Sequence, residues 1–238
     1  MRSLVIFAAM VVALSGFQDP VAVNPKIVTV VFENERVRVL RVHFGPHDRL
    51  ELHSHPALVV LSMTNGSRRV YSADGSHRDT SATPGEVQWR EPSTHAVENL
   101  IDDPSENIEI ELKKTAAAAV AAVPSKVSLS SEDLLEPVPV QNEPHHHSVL
   151  ENQYVRVLDV SIAAGESTLF HTHEHDNLSI RVSGGQAQTQ LQGSDWRPAS
   201  QVERGSVVFS SASSKPYTHR VKNVGPDTYR VIDIELLP

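Results

Sequence analysis

"LFHTHEHDNLSI" (169–180) and "LELHSHPALVVLS" (50–62) each carry a His-x-His pair, His171/His173 and His53/His55, 118 positions apart. The same offset joins "FENERVRVLRVHFG" (32–45) to "LENQYVRVLDVSIA" (150–163). Glu33-Asn34 matches Glu151-Asn152, Val37-Arg38-Val39-Leu40 matches Val155-Arg156-Val157-Leu158, and Gly66 matches Gly184. The offset drifts to 120 at Gly85/Gly205 and to 124 at His95/His219, Val97/Val221 and Asn99/Asn223. It holds into the closing runs "IEIEL" and "IDIEL". Such drift is loop-length change inside a duplicated unit, and two copies in one order mean an internal repeat.

Each copy reads as β structure. "VRVLRVHF", "LVVLSM", "RRVYSA" and "NIEIEL", with "VRVLDVSI", "LSIRVS", "QTQLQ", "SVVFSS" and "YRVIDIEL", are short runs rich in β-branched residues. Gly, Pro, Asn and Asp turns separate them, as in Thr83-Pro84-Gly85. Many short strands with regular turns predict an all-β fold of two sandwiches or barrels. The predicted first domain is 20–113 and the second 147–238. Residues 114–146 are an Ala/Pro-rich linker, with a short helix over Ala116–Ala122 that stops before Pro124. A capping box at Ser130 and Asp133 would start a further short turn.

The net charge is −8 with no run of Lys or Arg, which argues against nucleic acid and anionic membrane surfaces as partners. The chain has no Cys, which removes disulfides, thiolate ligands and a cysteine nucleophile. Residues 1–19 read as a secretory signal peptide. Arg2 precedes an apolar run from Leu4 to Leu14, shorter than the ~20 residues of a spanning helix, and Ala13-Leu14-Ser15 is a small-x-small cleavage signal. Export to the periplasm or medium follows. A retained N-terminal anchor is the competing reading.

Alternate strand residues face one side, so each His-x-His pair puts two imidazoles on one wall. His95 or His219, on a later strand, supplies a third. Three neutral imidazoles suit a divalent transition metal and leave coordination positions open. The order Gly, His-x-His, Gly, Pro-x-Gly-like turn, His-x-x-x-Asn resembles the cupin superfamily, over residues 28–113 and 147–237. Two copies resemble a bicupin, which implies two tandem cupin-type β-barrels of the jelly-roll kind. The first half also resembles small single-domain cupins associated with β-alanine catabolism, through "HSHP" and Trp89-x5-His95-Ala-x-Glu-Asn. Many cupins carry a fourth ligand, Glu, four residues after the second His; here those positions are Val59 and Asn177. The three-His pattern therefore resembles cupin dioxygenases more than the oxalate type.

The expected metal ligands are His53, His55 and His95 in one barrel and His171, His173 and His219 in the other. One divalent metal per occupied site is expected, drawn from Fe2+, Zn2+, Ni2+ and Mn2+. Strand parity turns His175 and Asn177 inward beside the second cluster, as catalytic candidates, and gives the first cluster an apolar wall of Ala57, Val59 and Leu61. The second half is thus expected to carry the working site. His145, His146 and His147 read as solvated linker, and His43, His47 and His77 as structural or surface residues. Trp89 and Phe209 read as core or pocket wall, and Arg38 and Arg156 as fold determinants. The function expected is a metal-dependent, dioxygenase-like enzyme for a small acidic or carbonyl molecule, in a monomer or homodimer. A non-catalytic metal- or ligand-binding protein is the alternative.

Intact-mass measurement on protein from the native cell is expected to show a chain that starts between residues 16 and 20. A product that retains Arg2 contradicts export with cleavage.

Overall fold

The computed structural model describes residues 18–113 and 136–238. A one-turn helix α1 (Pro20–Val23) leads into nine strands: β1 (Val28–Glu33), β2 (Val37–Phe44), β3 (Arg49–His55), β4 (Leu58–Ser62), β5 (Gly66–Ser72), β6 (His77–Ala82), β7 (Val87–Arg90), β8 (Ser93–Asn99) and β9 (Ser105–Leu112). They form two antiparallel sheets, ordered β1-β2-β9-β4-β7 and β3-β8-β5-β6. The second half repeats the plan with β10 (Val138–Pro139), β11 (His146–Glu151), β12 (Val155–Ile162), β13 (His171–His173), β14 (Asn177–Arg181), β15 (Gly185–Leu191), β16 (Ser200–Val202), β17 (Val207–Ser210), β18 (Tyr217–Asn223) and β19 (Tyr229–Leu236). Its sheets run β11-β12-β19-β14-β17 and β10-β13-β18-β15-β16. The expected pair of cupin-type barrels is the observed architecture.

The five-stranded sheets that begin with β1 and β11 pack face to face. Val37, Val39, Val59, Leu61, Ile108 and Ile110 join Val155, Val157, Leu178, Ile180, Ile232 and Ile234 in one core cluster, each fully buried. Phe32 stacks on Phe209 and Trp89 on Tyr154, with ring centroids 5.2 and 5.6 Å apart, at the two edges of the contact. The other face of β2 and β12 is also buried: Leu40, Val42 and Phe44 fill the first barrel, and Leu158, Val160 and Ile162 the second. Burial on both faces explains why these repeated strands read as near-continuous apolar runs.

Reciprocal polar contacts lock the sheets together. Arg41 pairs with Glu106 and donates from Nη2 to the carbonyl of Gly205 at 2.6 Å. Arg230 pairs with Asp159 and donates from Nη1 to the carbonyl of Pro84 at 3.2 Å. The two ion pairs occupy equivalent positions with the charges exchanged. Gly85 and Gly205 turn with φ of 84° and 76°, and a Cβ on either would lie 2.4 or 2.8 Å from the visiting guanidinium. Only Gly satisfies both the turn and the close approach.

Three boundaries differ from the sequence reading. Gln18 and Asp19, assigned to the signal peptide, belong to the first barrel: the Ser54 amide donates to the Gln18 carbonyl at 2.8 Å, and Asp19 caps α1 and pairs with Arg38. The linker was drawn to residue 146, but β10 pairs in parallel with β13, and β11 begins at His146. The expected helix over Ala116–Ala122 and the capping box at Ser130 lie outside the described residues. Finally, Leu58 and Asn177 occupy equivalent positions, opposite Glu111 and Glu235. The turn after His173 is one residue longer than the turn after His55, and one residue reverses facing. Val59 and Leu61 therefore enter the core between the sheets, and Leu58, Val60 and Ser62 line the first barrel's cavity.

Because one core serves both halves, Ile234→Ala is expected to destabilise the whole chain by ~2–5 kcal/mol, seen as one urea transition at a lower midpoint. Two separate transitions, with only the second shifted, would show independent halves.

Candidate metal centres

Strand pairing brings each expected triad together. His53 lies opposite His95 across β3 and β8, and His171 opposite His219 across β13 and β18. In each triad one ligand atom per imidazole lies within 4.8 Å of the others. Both clusters border cavities, of about 110 Å3 in the first barrel and about 130 Å3 in the second.

Hydrogen bonds behind the rings set which nitrogen faces forward. His53 Nδ1 donates to the Glu51 carbonyl at 2.7 Å, and His171 Nδ1 to the Leu169 carbonyl at 2.9 Å. His55 Nδ1 donates to Glu111 Oε1 at 2.7 Å, and Arg38 Nε holds Glu111 Oε2 at 2.6 Å. His95 Nδ1 and the Ser93 hydroxyl lie 3.1 Å apart. An imidazole that donates from Nδ1 presents its Nε2 lone pair. Burial lowers His53 to about 4 and His95, His171 and His219 to about 3, so these rings stay neutral near pH 7. His173 is likewise lowered by burial and by His219. Burial also acts to lower His55, but its bond to Glu111 together with the charges of Glu109 and Glu111 raises it.

The second cluster fits a metal on an independent detail. His173 Nε2 and His219 Nε2 face each other at 3.2 Å. Two nitrogens bound at about 2.0–2.1 Å to one ion stand about 3 Å apart. For His173 to present Nε2, its Nδ1 must donate, yet Asn177 turns the donor Nδ2 toward it at 3.3 Å. Asn177 Oδ1 is buried without a partner. Nδ2 also faces the His175 carbonyl at 3.3 Å, and a His173 that bound metal through Nε2 would turn its Nδ1 proton toward Asp233 Oδ2, 3.6 Å away.

Sequence reasoning missed several residues. Glu109 Oε2 lies 3.7 Å from His55 Nε2, and Asp233 Oδ2 lies 3.6 Å from His173 Nδ1. Both stand on the last strand of their half, where alternation reads as a solvent face. Burial raises the Asp233 carboxyl to about 7. Arg38 and Arg156, read as fold determinants, pair with Glu111 and Glu235, so Arg38 also braces His55. His146 departs from its solvated reading: it is buried, lines the second cavity and packs edge-on against His171 at 4.6 Å. Its Nδ1 donates to Glu143 Oε2 at 2.5 Å. Burial acts to raise Glu143, but the bonds from His146 and His145 prevail and hold it at about 2.

The two catalytic candidates separate. Asn177 is buried behind His173 and supports it. His175 lies in the turn between β13 and β14 and is not among the residues lining the cavity, because the longer turn carries it off the strand's inner face. The first cavity has an apolar patch, as expected, but from Leu58 and Val60, and Arg68, Arg78, Arg90 and Glu109 share its lining. His43, His47 and His77 are exposed, as expected.

The chain matches no family model and no curated protein. Its fold aligns with AerE from Microcystis aeruginosa over 89% of this chain and 98% of that one, at TM-score 0.58 and 14% identity. A cupin 2 conserved barrel domain protein from Leptotrichia buccalis aligns over 88% of each chain, at 0.52 and 12%. A variant of Bacillus subtilis oxalate decarboxylase aligns over 88% of this chain and 72% of that one, at 0.56 and 13%. Another structure of that enzyme, at 0.54 and 14%, is described by its Mn(II) centres. Identities this low carry the fold alone, and that fold is two cupin barrels in tandem.

Proposed function

We propose that this protein is an exported, metal-dependent enzyme, dioxygenase-like in its three-His donor set, which acts on a small acidic or carbonyl compound. One divalent transition metal would sit in each barrel, held by His53, His55 and His95 and by His171, His173 and His219. The observation that carries the reading is the second cluster's pair of Nε2 atoms, 3.2 Å apart beside an orphaned Asn177 Oδ1. The 3.2 Å spacing matches that of two nitrogens on one ion, which would take the place of the single proton that one neutral imidazole can donate to the other.

The bound metal supplies Lewis acidity and open positions toward the cavity. The chain's own groups do the rest. Arg38 and Glu111 fix the His55 tautomer, and the Leu169 carbonyl fixes that of His171. Asp233, whose carboxyl burial raises to about 7, can hold or release a proton beside the second cavity. Glu109 takes the equivalent place in the first. His146, anchored by Glu143, adds an imidazole that only the second cavity has.

Metal analysis of untagged protein is expected to give two equivalents per chain. His53→Ala with His55→Ala should remove one, and His171→Ala with His173→Ala the other. Glu111→Gln is expected to weaken the first site about 10- to 100-fold, the usual cost of losing a partner behind a ligating His. Metal content unchanged by both double substitutions would end the metalloenzyme reading.

A further inference from the structure

Among the described residues, Arg68 has two guanidinium nitrogens buried without a hydrogen-bond partner. Its Nε and Nη2 are buried and make no hydrogen bond, while the side chain lines the first cavity and its guanidinium lies 5.6 Å from the Phe44 ring. Nε and Nη2 form the edge of a guanidinium that grips a carboxylate with two parallel bonds. Elsewhere in this chain that edge is used so: Arg69 grips Asp79 at 2.7 and 2.9 Å, and Arg230 grips Asp159 at 2.9 and 2.6 Å. Arg68 leaves the same edge unpaired beside Gly66, on a side chain that lines the cavity.

We infer that Arg68 receives a carboxylate of the first cavity's ligand, whose other end lies toward His53, His55 and His95. This rests on the proposed function, in which each barrel's metal centre opens on a ligand cavity. The surroundings favour an anion. Arg78 and Arg90 also line the cavity, against one acid, Glu109. Arg90 Nη2 is already taken by Gln88, and of the three arginines Arg68 is the one with buried, unpaired nitrogens. Asn107 adds a buried, unpartnered Oδ1 to the same lining, an acceptor for a ligand hydroxyl or amine.

Register sets the scale. Arg68 lies opposite Asn99, and Ser72 opposite His95. Four residues along β5 separate the two levels by ~13 Å, before either side chain reaches inward. The ligand that bridges them is a dicarboxylate of about four or five carbons. The second half places its cavity arginine elsewhere: Ala187 holds the place opposite Asn223, and Arg181 lines that cavity from β14, with Nη1 on the Ser179 carbonyl.

The test is calorimetric titration of the full mature chain, with and without metal, using succinate, glutarate, butyrate and phosphate. Succinate or glutarate is expected to bind more tightly than butyrate. Arg68→Met should weaken that binding tenfold or more and Arg68→Lys less, both with unchanged metal content. The ligand-free Arg68→Met chain should unfold at the same or a higher temperature, since an unpaired buried charge is removed. A purely structural Arg68 would give the opposite shift.

Equal dicarboxylate affinity in wild type and Arg68→Met overturns the inference, as does failure of wild type to bind either dicarboxylate. Arg68-dependent phosphate binding tighter than both overturns the carboxylate assignment. If Arg68→Met does not fold, unchanged binding by Arg68→Lys overturns it equally. Should the chain bind no metal, the proposed function falls, and succinate titration of the metal-free wild type and variants still decides the role of Arg68.

Discussion

Burial of one sheet from each half against the other is the constraint on which the rest depends. It consumes the apolar face of β2, β4 and β9 and of β12, β14 and β19. A strand has only two faces, so whatever else those strands carry must point into the barrels. Asn107, Glu109 and Glu111 are turned inward because Ile108 and Ile110 are needed outside. Asp233 and Glu235 face the second interior for the same reason. A cavity wall with charges follows from a dry interface on the opposite side.

The two centres diverge because one turn changed length. After His55, Pro56 and Ala57 lead directly into β4, and Leu58 faces the Glu111 position. After His173 the turn holds Glu174, His175 and Asp176, and Asn177 takes that place. Glu111 consequently reaches His55, while Asn177 approaches His173. Arg156 still holds Glu235 at 2.9 Å, so the arginine–carboxylate brace survives in both halves, although it reaches an imidazole directly only in the first.

The duplication made the fold, the six histidines and the paired glycines legible. Those features depend on residue identity at a fixed offset, which a sequence displays. The inward acids were hidden because "IEIEL" alternates like a half-solvated strand, and alternation cannot say which face is wet. The doubly apolar "VRVL" strands held the missing information, since burial on both faces demands a second layer. Val59 faces the other way from its expected side because strand parity does not carry through the turn at Pro56 and Ala57. His146 was passed over as part of a polar triplet. Its burial follows from Glu143, which binds His145, His146 and the Leu169 amide together.

The interface also bears on what the barrels can tolerate. An unpaired guanidinium at Arg68, a buried carboxyl at Asp233 and clustered neutral imidazoles all oppose folding. A barrel of about ninety residues has little stability to spare. Joined through a shared apolar core, the two halves bury far more surface than either could alone. The exchanged pairs Arg41–Glu106 and Arg230–Asp159 then fix orientation, because each arginine must find the glycine turn of the opposite half. Repulsive polar groups can thus be kept inside both barrels because the apolar contact lies between them.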